Sequence, residues 1–472
     1  MVRMMLTPAD VTKSSPRAQA PLRIADLDDH PGPRPHSLKR NFSWTFLGNV
    51  FYTVCQWGIL MLLTKLGTPE MVGQFVLGLA ITSPAMSFAN LKARGIQASD
   101  AKREFRFCEY LGFTLVMTAL GLMLITGSTL VGGYNVETAL VILAVALGKA
   151  FDVICDVFFG LFQQNEHMDR IAKPLMINGL LSMAALGGGV YLTGSVVWGA
   201  LGWAAAKGLV LALCALGSGS YVSEVERRTP AHASRDKTLM PSFAWPRLLK
   251  LTWLTLPLCI AALLLQLNAN IPRYFIEHYL GERELGFFAA MAYLMLPGNM
   301  VLVAALGQAA TPRLAKYFAA GETRAFLMLL LRMAGLVAVG GGLAVLVILL
   351  AGKMILTLLY TVEYTQHLDV LFWVTIEAAL GFVCSVLAYA MTAARQFRAQ
   401  VPLSGITVVL SIIACALLIS RYGLPGAAFA MVLATTFQLI GSLVIVVLAI
   451  RERKQESAAR PAKTIVGACC LP

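Results

Sequence analysis

Apolar positions in this chain neither alternate nor recur at every third or fourth residue; they run on continuously, broken by short polar stretches. A helix needs about 20 apolar residues to cross a hydrocarbon core. Twelve runs of that length lie near 43–66, 70–91, 107–131, 137–162, 174–193, 196–221, 249–271, 285–310, 327–350, 367–391, 400–420 and 424–450. Backbone groups inside lipid find no water to bond, so each run is expected to be a helix that satisfies its own N–H and C=O groups. The pattern predicts an all-α polytopic membrane protein with twelve transmembrane helices.

The polar stretches divide the chain further. Residues 1–40 carry Pro8, Pro16, Pro21, Pro31, Pro33 and Pro35, with no apolar segment ahead of a cleavage site. They read as a disordered cytoplasmic tail without a signal peptide. The longest polar interruption, 222–248, reads as a cytoplasmic linker between six-helix bundles at 41–221 and 249–450, and 451–472 reads as a second cytoplasmic tail.

Internal echoes support that division. Gly73 with Phe75 and Pro84 recurs as Gly286 with Phe288 and Pro297. Leu66-Gly67 with Glu70 returns as Leu280-Gly281 with Glu284, Pro174-Leu175 as Pro402-Leu403, and Gly199-Ala200 as Gly426-Ala427. Matches in register imply a duplication. Six helices per half make both halves enter the membrane from the same side, so the repeat is parallel, with its pseudo-two-fold axis along the membrane normal.

Charge fixes the expected orientation. With the amino terminus cytoplasmic, 30 of the 38 lysines and arginines fall in cytoplasmic tails and loops; the other side holds Lys65, Arg273, Arg283, Lys353 and Arg421, and Lys149, Lys207 and Arg332 lie within spans. Positive residues gather on the cytoplasmic side of membrane proteins, so both termini are expected there. The net charge of +13 then reflects loops facing an anionic inner leaflet, and nucleic acid is not an expected partner. With 58% hydrophobic and 13% charged residues and a mean hydropathy of +0.71, the chain is too apolar for a soluble protein of its length.

Little in the sequence suggests bound cofactors or catalysis. Seven cysteines lie in or at the edge of spans, and Cys469 and Cys470 lie in the second tail, without metal-ligand spacing. The six histidines are scattered over tails and loops on both faces, so neither a metal site nor a catalytic base is indicated. A phosphate-binding G-x-x-x-x-G-K-[ST] loop is absent: Gly148-Lys149 has Leu143 where the first glycine belongs, and Gly352-Lys353 is followed by Met354. No cofactor is implied.

The stretch Leu66-Gly67 to Phe75 entering the second span, its echo LGERELGFF, QNEHMDRIAKP after the fourth span and NIPRYFIEHYLG after the seventh resemble the Wzx-type oligosaccharide flippases of bacterial polysaccharide synthesis. Those proteins belong to the multidrug/oligosaccharidyl-lipid/polysaccharide exporter superfamily. The resemblance spans about 41–450 and implies two bundles in a V around a central cavity, opening alternately to either side of the bacterial inner membrane. It also implies a polyprenyl-pyrophosphate-linked oligosaccharide as cargo, bound for O antigen, capsule or exopolysaccharide. Membrane lipids and other polysaccharide-synthesis membrane proteins are the implied partners.

Charged residues inside the spans are the candidates for function, because each costs on the order of 3 kcal/mol at mid-bilayer depth. In GKAFDVICDVFF, Lys149 and Asp156 project within about 20° of each other on a helix, and Asp152 about 60° to the side. Two readings stay open. Either Lys149 pairs internally with Asp152 to let a marginal helix insert, or this face borders a watery cavity where Lys149 attracts phosphate and an aspartate takes up a proton. Lys207, mid-way along the sixth span, either pairs with an aspartate of the fourth span or adds a second cation to the cavity. Glu377, alone in the tenth span, is either a neutral hydrogen-bonded acid or an ion-coupling site. Asn270 and Arg273 at the end of the seventh span form a polar rim suited to sugar hydroxyls or to an ordinary helix end.

The expected function is therefore a flippase that moves a lipid-linked oligosaccharide from the inner to the outer leaflet. Lys149, Lys207, Asn270 and Arg273 are expected to contact substrate, and Asp152, Asp156 and Glu377 to couple an ion. A multidrug exporter of the same superfamily is the alternative. A membrane polymerase or acyltransferase ranks behind both, because the loops opposite the termini are too short to hold a catalytic cluster.

Overall fold

The computed structural model describes residues 38–90, 93–100, 104–227, 240–295, 298, 303 and 305–459. These residues are helical, with short turns between, and no strand occurs among them. The first half of the chain forms α1 (Leu38–Leu66), α2 (Pro69–Asn90), a short α3 (Ala93–Ser99), α4 (Phe107–Val131), α5 (Val136–Gln164), α6 (Asp169–Thr193) and α7 (Val196–Arg227). The second half forms α8 (Trp245–Leu280), α9 (Glu282–Leu294), α10 (Ala305–Ala320), α11 (Thr323–Leu359), α12 (Leu368–Ala393), α13 (Phe397–Tyr422) and α14 (Leu424–Ala459). Ten of the described helical segments are long and apolar enough to cross a membrane. The two further expected spans, 249–271 and 285–310, coincide with α8 and with the α9–α10 pair. The chain is an all-α membrane protein of twelve crossings.

Several helices outrun their apolar stretches. α7 continues six residues past 221 to Arg227, α8 begins at Trp245 inside the expected linker, and α14 reaches Ala459 inside the expected tail. The physical reason is that a helix bonds its own backbone, so it extends into the interfacial region after its side chains turn polar. Within the eighth span, α9 ends at Leu294 with a cap at Met295, and the described residues before α10, Gly298 and Val303, are helical. Pro297, one of the echoed prolines, lies outside the described residues, as do the centre of the expected linker, the first 37 residues and the end of the second tail.

Helices alternate in direction, which puts the start of α1 and the end of α14 on one face, here the terminal face. Near the opposite face a single core is shared by both halves: Phe75 and Val76 of α2 and Val145 of α5 pack with Phe287, Phe288 and Ala289 of α9 and Leu371 of α12. Toward the terminal face the core divides. One part gathers Phe107, Phe158, Phe162 and Tyr221, and another gathers Leu314, Phe326, Val386 and Ile450. A joint core at one end and two cores at the other make a V, closed at the opposite face.

The helix α8 belongs to both arms. Its terminal-face end carries Leu248 and Leu251 into the first half's core, and the preceding Ser242 N–H donates to the Cys108 carbonyl at 2.8 Å. Arg247 pairs with Glu109 of α4 at 2.9 Å. Farther along, α8 packs on α2 and on α13. Large exposed apolar side chains such as Leu130, Leu192, Leu216, Leu350 and Leu417 line the outside, where lipid rather than protein covers them.

Candidate functional site

A glycine explains where the charges of α5 meet their neighbours. A Cβ on Gly148 would overlap the Trp203 ring and stand 3.3 Å from the Ala204 Cα, so α7 approaches α5 closely there. One turn on, Phe151 lies against Gly208, and Asp152 faces Lys207. The Lys207 Nζ donates to Asp152 Oδ2 at 2.6 Å, its side chain only 1% exposed, and it stands 4.4 Å from the centre of the Trp203 ring. From α6, Asn178 Nδ2 donates to the other Asp152 oxygen at 3.2 Å, and Ser182 in turn donates to Asn178 Oδ1 at 2.9 Å. Both oxygens of Asp152 are therefore held.

Asp156, one turn nearer the terminal face, is held by other groups. Arg94 of α3 pairs with it at 3.3 Å, and Asn90 at the end of α2 donates to its second oxygen at 2.9 Å. Gln163 accepts from Arg94 Nε at 3.1 Å, and the guanidinium lies 5.5 Å from the Phe159 ring. This pair is about a third exposed, with Arg94 at 36% and Asp156 at 28%, so it faces an opening rather than a sealed core.

Lys149 stands apart. It is half-buried at mid-depth, and among the described residues it has no hydrogen-bond or ion-pair partner. Of the two readings of the α5 face, the internal Lys149–Asp152 pair is not the one the structure adopts: Asp152 is engaged by Lys207. Two cations and two carboxylates cancel in pairs, and the face keeps one uncompensated positive charge. An unpaired ammonium in a membrane protein is tolerated only where water or an anion can reach it.

The remaining candidates lie elsewhere. Glu377 of α12 accepts a hydrogen bond from Thr435 of α14 at 2.9 Å, with no cation against it among the described residues. Asn270 is buried on α8, donates to the Gln266 carbonyl at 2.8 Å and accepts from Arg273 at 2.7 Å, while Arg273 lies 5.7 Å from the Tyr293 ring. No hydrogen bond or ion pair among the described residues joins Glu377, Asn270 or Arg273 to the α5 charges. The structure thus brings Asp152 and Lys207 together and leaves Glu377 and the α8 rim as separate polar places.

Asn90, Arg94 and Asn178 complete the α5 constellation and were not singled out from the sequence. A signal existed for the asparagines, since each is an amide inside an apolar run. Arg94 gave none, being one of five basic residues in the 92–106 loop.

A model of the family described as polysaccharide biosynthesis protein matches residues 38–318, more than half of the chain and most of the elements just described. The chain belongs to that polysaccharide biosynthesis protein family. Among curated relatives, the capsular polysaccharide biosynthesis protein CapF of Staphylococcus aureus is 26% identical over 406 residues, covering 85% of this chain and 98% of CapF. Two solved structures share the fold at 13% identity and a TM-score of 0.66. One is a multidrug resistance transporter of the MATE family in an inward-facing conformation, covering 87% of this chain and 96% of that one. The other is the lipid II flippase MurJ in an inward closed conformation, at 88% and 90%. Membership in the family rests on the sequence match, and the two structures establish the architecture.

Proposed function

We propose that this polysaccharide biosynthesis protein is a flippase, carrying a polyprenyl-pyrophosphate-linked oligosaccharide from the cytoplasmic to the outer leaflet of a bacterial inner membrane. The observation that carries the reading is Lys149, a cation at mid-depth with no hydrogen-bond or ion-pair partner among the described residues. A diphosphate supplies the missing anion, and its charge-assisted hydrogen bond replaces hydration lost on entering oil. The polyprenyl tail stays in lipid while the sugars occupy the space between the arms.

Roles follow from the pairings. Lys149 takes the diphosphate; Lys207 holds Asp152 rather than the cargo; Arg94 guards Asp156 at the terminal-face opening. Arg273, held by the buried Asn270, offers its remaining donors to sugar hydroxyls. Asp156 and Glu377 are the carboxylates placed to couple an ion, Glu377 with the freer site and Asp156 with the more accessible one. The two halves, 41–221 and 249–450, rock about the shared core, and the 222–248 linker joins them on the cytoplasmic side, where both termini lie. The chain acts as a carrier and not as an enzyme, beside other membrane proteins of polysaccharide synthesis.

Cells that lose the chain are expected to accumulate lipid-linked oligosaccharide in the cytoplasmic leaflet, measured as saccharide inaccessible to reagents added outside. Accumulation of unpolymerised but outwardly accessible saccharide would assign the protein to polymerisation instead.

A further inference from the structure

The two halves meet most intimately at the opposite face, and they do so symmetrically. A Cβ on Gly73 of α2 would overlap the Glu282 carbonyl, and one on Gly286 of α9 would overlap the Pro69 carbonyl and stand 3.2 Å from the Gly73 nitrogen. The same offset of 213 that relates Gly73 to Gly286 relates Pro69 to Glu282. Each glycine therefore touches the residue that is its partner's own neighbour in the repeat, and the contact lies on the pseudo-two-fold axis. Glycine is a poor helix former, and here each sits one turn inside a helix. Close backbone approach across the axis is what the position requires.

A polar clasp closes around the crossing. The Glu282 carboxylate of α9 accepts from Thr138 of α5 at 2.5 Å and from Gln74 of α2 at 2.9 Å, so a second-half acid is held by two first-half donors. Thr138 is fully buried and Gln74 nearly so. Farther out, Arg283 pairs with Glu70 at 3.1 Å and with Glu363 at 3.7 Å, but these side chains are 41–53% exposed. Exposed pairs contribute little, and the half-buried clasp dominates. Toward the membrane centre, the Tyr274 hydroxyl donates to the Ala80 carbonyl at 2.5 Å, continuing the seam along α2 and α8.

We propose that the Gly73–Gly286 crossing, clasped by Glu282 on Thr138 and Gln74, is the seal of the transport path on the face opposite the termini, and that it parts when that face opens. The inference rests on the alternating-access reading, but not on the identity of the cargo. A side chain at either glycine prevents the backbones from meeting and leaves the face open. Loss of the Glu282 carboxylate weakens the seal without adding volume, and loss of the Arg283 charge leaves it intact.

The test places a cysteine at Ala289, buried on α9 three residues beyond Gly286. A membrane-impermeant maleimide is added to sealed vesicles on the side opposite the termini, the side being fixed by protease sensitivity of the carboxyl-terminal tail. With Gly73→Val or Gly286→Val, labelling is expected to accelerate at least about tenfold over the parent, with a smaller rise for Glu282→Ala and none for Arg283→Gln. Valine variants that assemble normally yet label like the parent would overturn the proposal. Should the valine variants fail to assemble, unchanged labelling of Glu282→Ala overturns it alone. Because no cargo is present, these outcomes stay separate from those that bear on oligosaccharide transport.

Discussion

Replacing Lys207 by glutamine is expected to cost more folded protein than any other single change in the spans. The residue is 1% exposed, and its ammonium is the only one that forms an ion pair with Asp152 among the described residues. Removing it leaves a carboxylate held by Asn178 alone, and breaking a buried pair from one side costs about 3–5 kcal/mol. That is a large part of the stability of an ordinary domain. Changing Asp152 to asparagine as well removes the stranded charge, so the double variant should recover most of the yield, with a coupling of about 0.5–3 kcal/mol between the sites. The measurement is the fraction that runs as a monodisperse peak in detergent, followed by its thermal unfolding. Equal stability of Lys207→Gln and the parent would contradict the structural role given to this pair.

Lys149→Gln is expected to do the reverse, leaving abundance and thermal stability unchanged while transport falls. No partner within the described protein is stranded by the change, and glutamine still inserts. A hydrogen bond to a charged group contributes about 1.5–3 kcal/mol. At 1.4 kcal/mol per factor of ten, transport should drop roughly ten- to a hundredfold. Arginine at the same position should retain part of the activity, since the charge survives while its fork differs in shape and reach from an ammonium. A Lys149→Gln protein that loses stability in step with activity would mean that the ammonium serves the fold.

These opposite expectations could not have been separated in the sequence. The twelve crossings were legible because length and apolarity alone decide whether a helix spans a bilayer. The duplication was legible in a few glycines and prolines, and the structure gives Gly73 and Gly286 a common reason in the backbone crossing. The α5 charges were visible as a common face, since helical geometry fixes the angles between 149, 152 and 156. Their partners were not. Which cation reaches Asp152 depends on how α7 lies on α5, which is set by the Trp203 ring against Gly148, a contact 55 residues apart that no local period reveals. The same holds for Arg94, whose short helix folds back onto α5 to meet Asp156. Glu282 gave no signal of a contact between the halves, because an acid at the start of a helix reads as a favourable end charge.

The most direct measurement is lipid flipping by the purified chain. Liposomes are loaded in their outer leaflet with a labelled polyprenyl-pyrophosphate oligosaccharide, and the saccharide that becomes protected from an added impermeant glycosidase is followed with time. The parent protein is expected to protect the lipid until the two leaflets equilibrate, with the saccharide recovered intact and with Lys149→Gln slowed roughly ten- to a hundredfold. Protection no faster than in protein-free liposomes, or a saccharide chain lengthened or cleaved by the protein itself, would contradict the account.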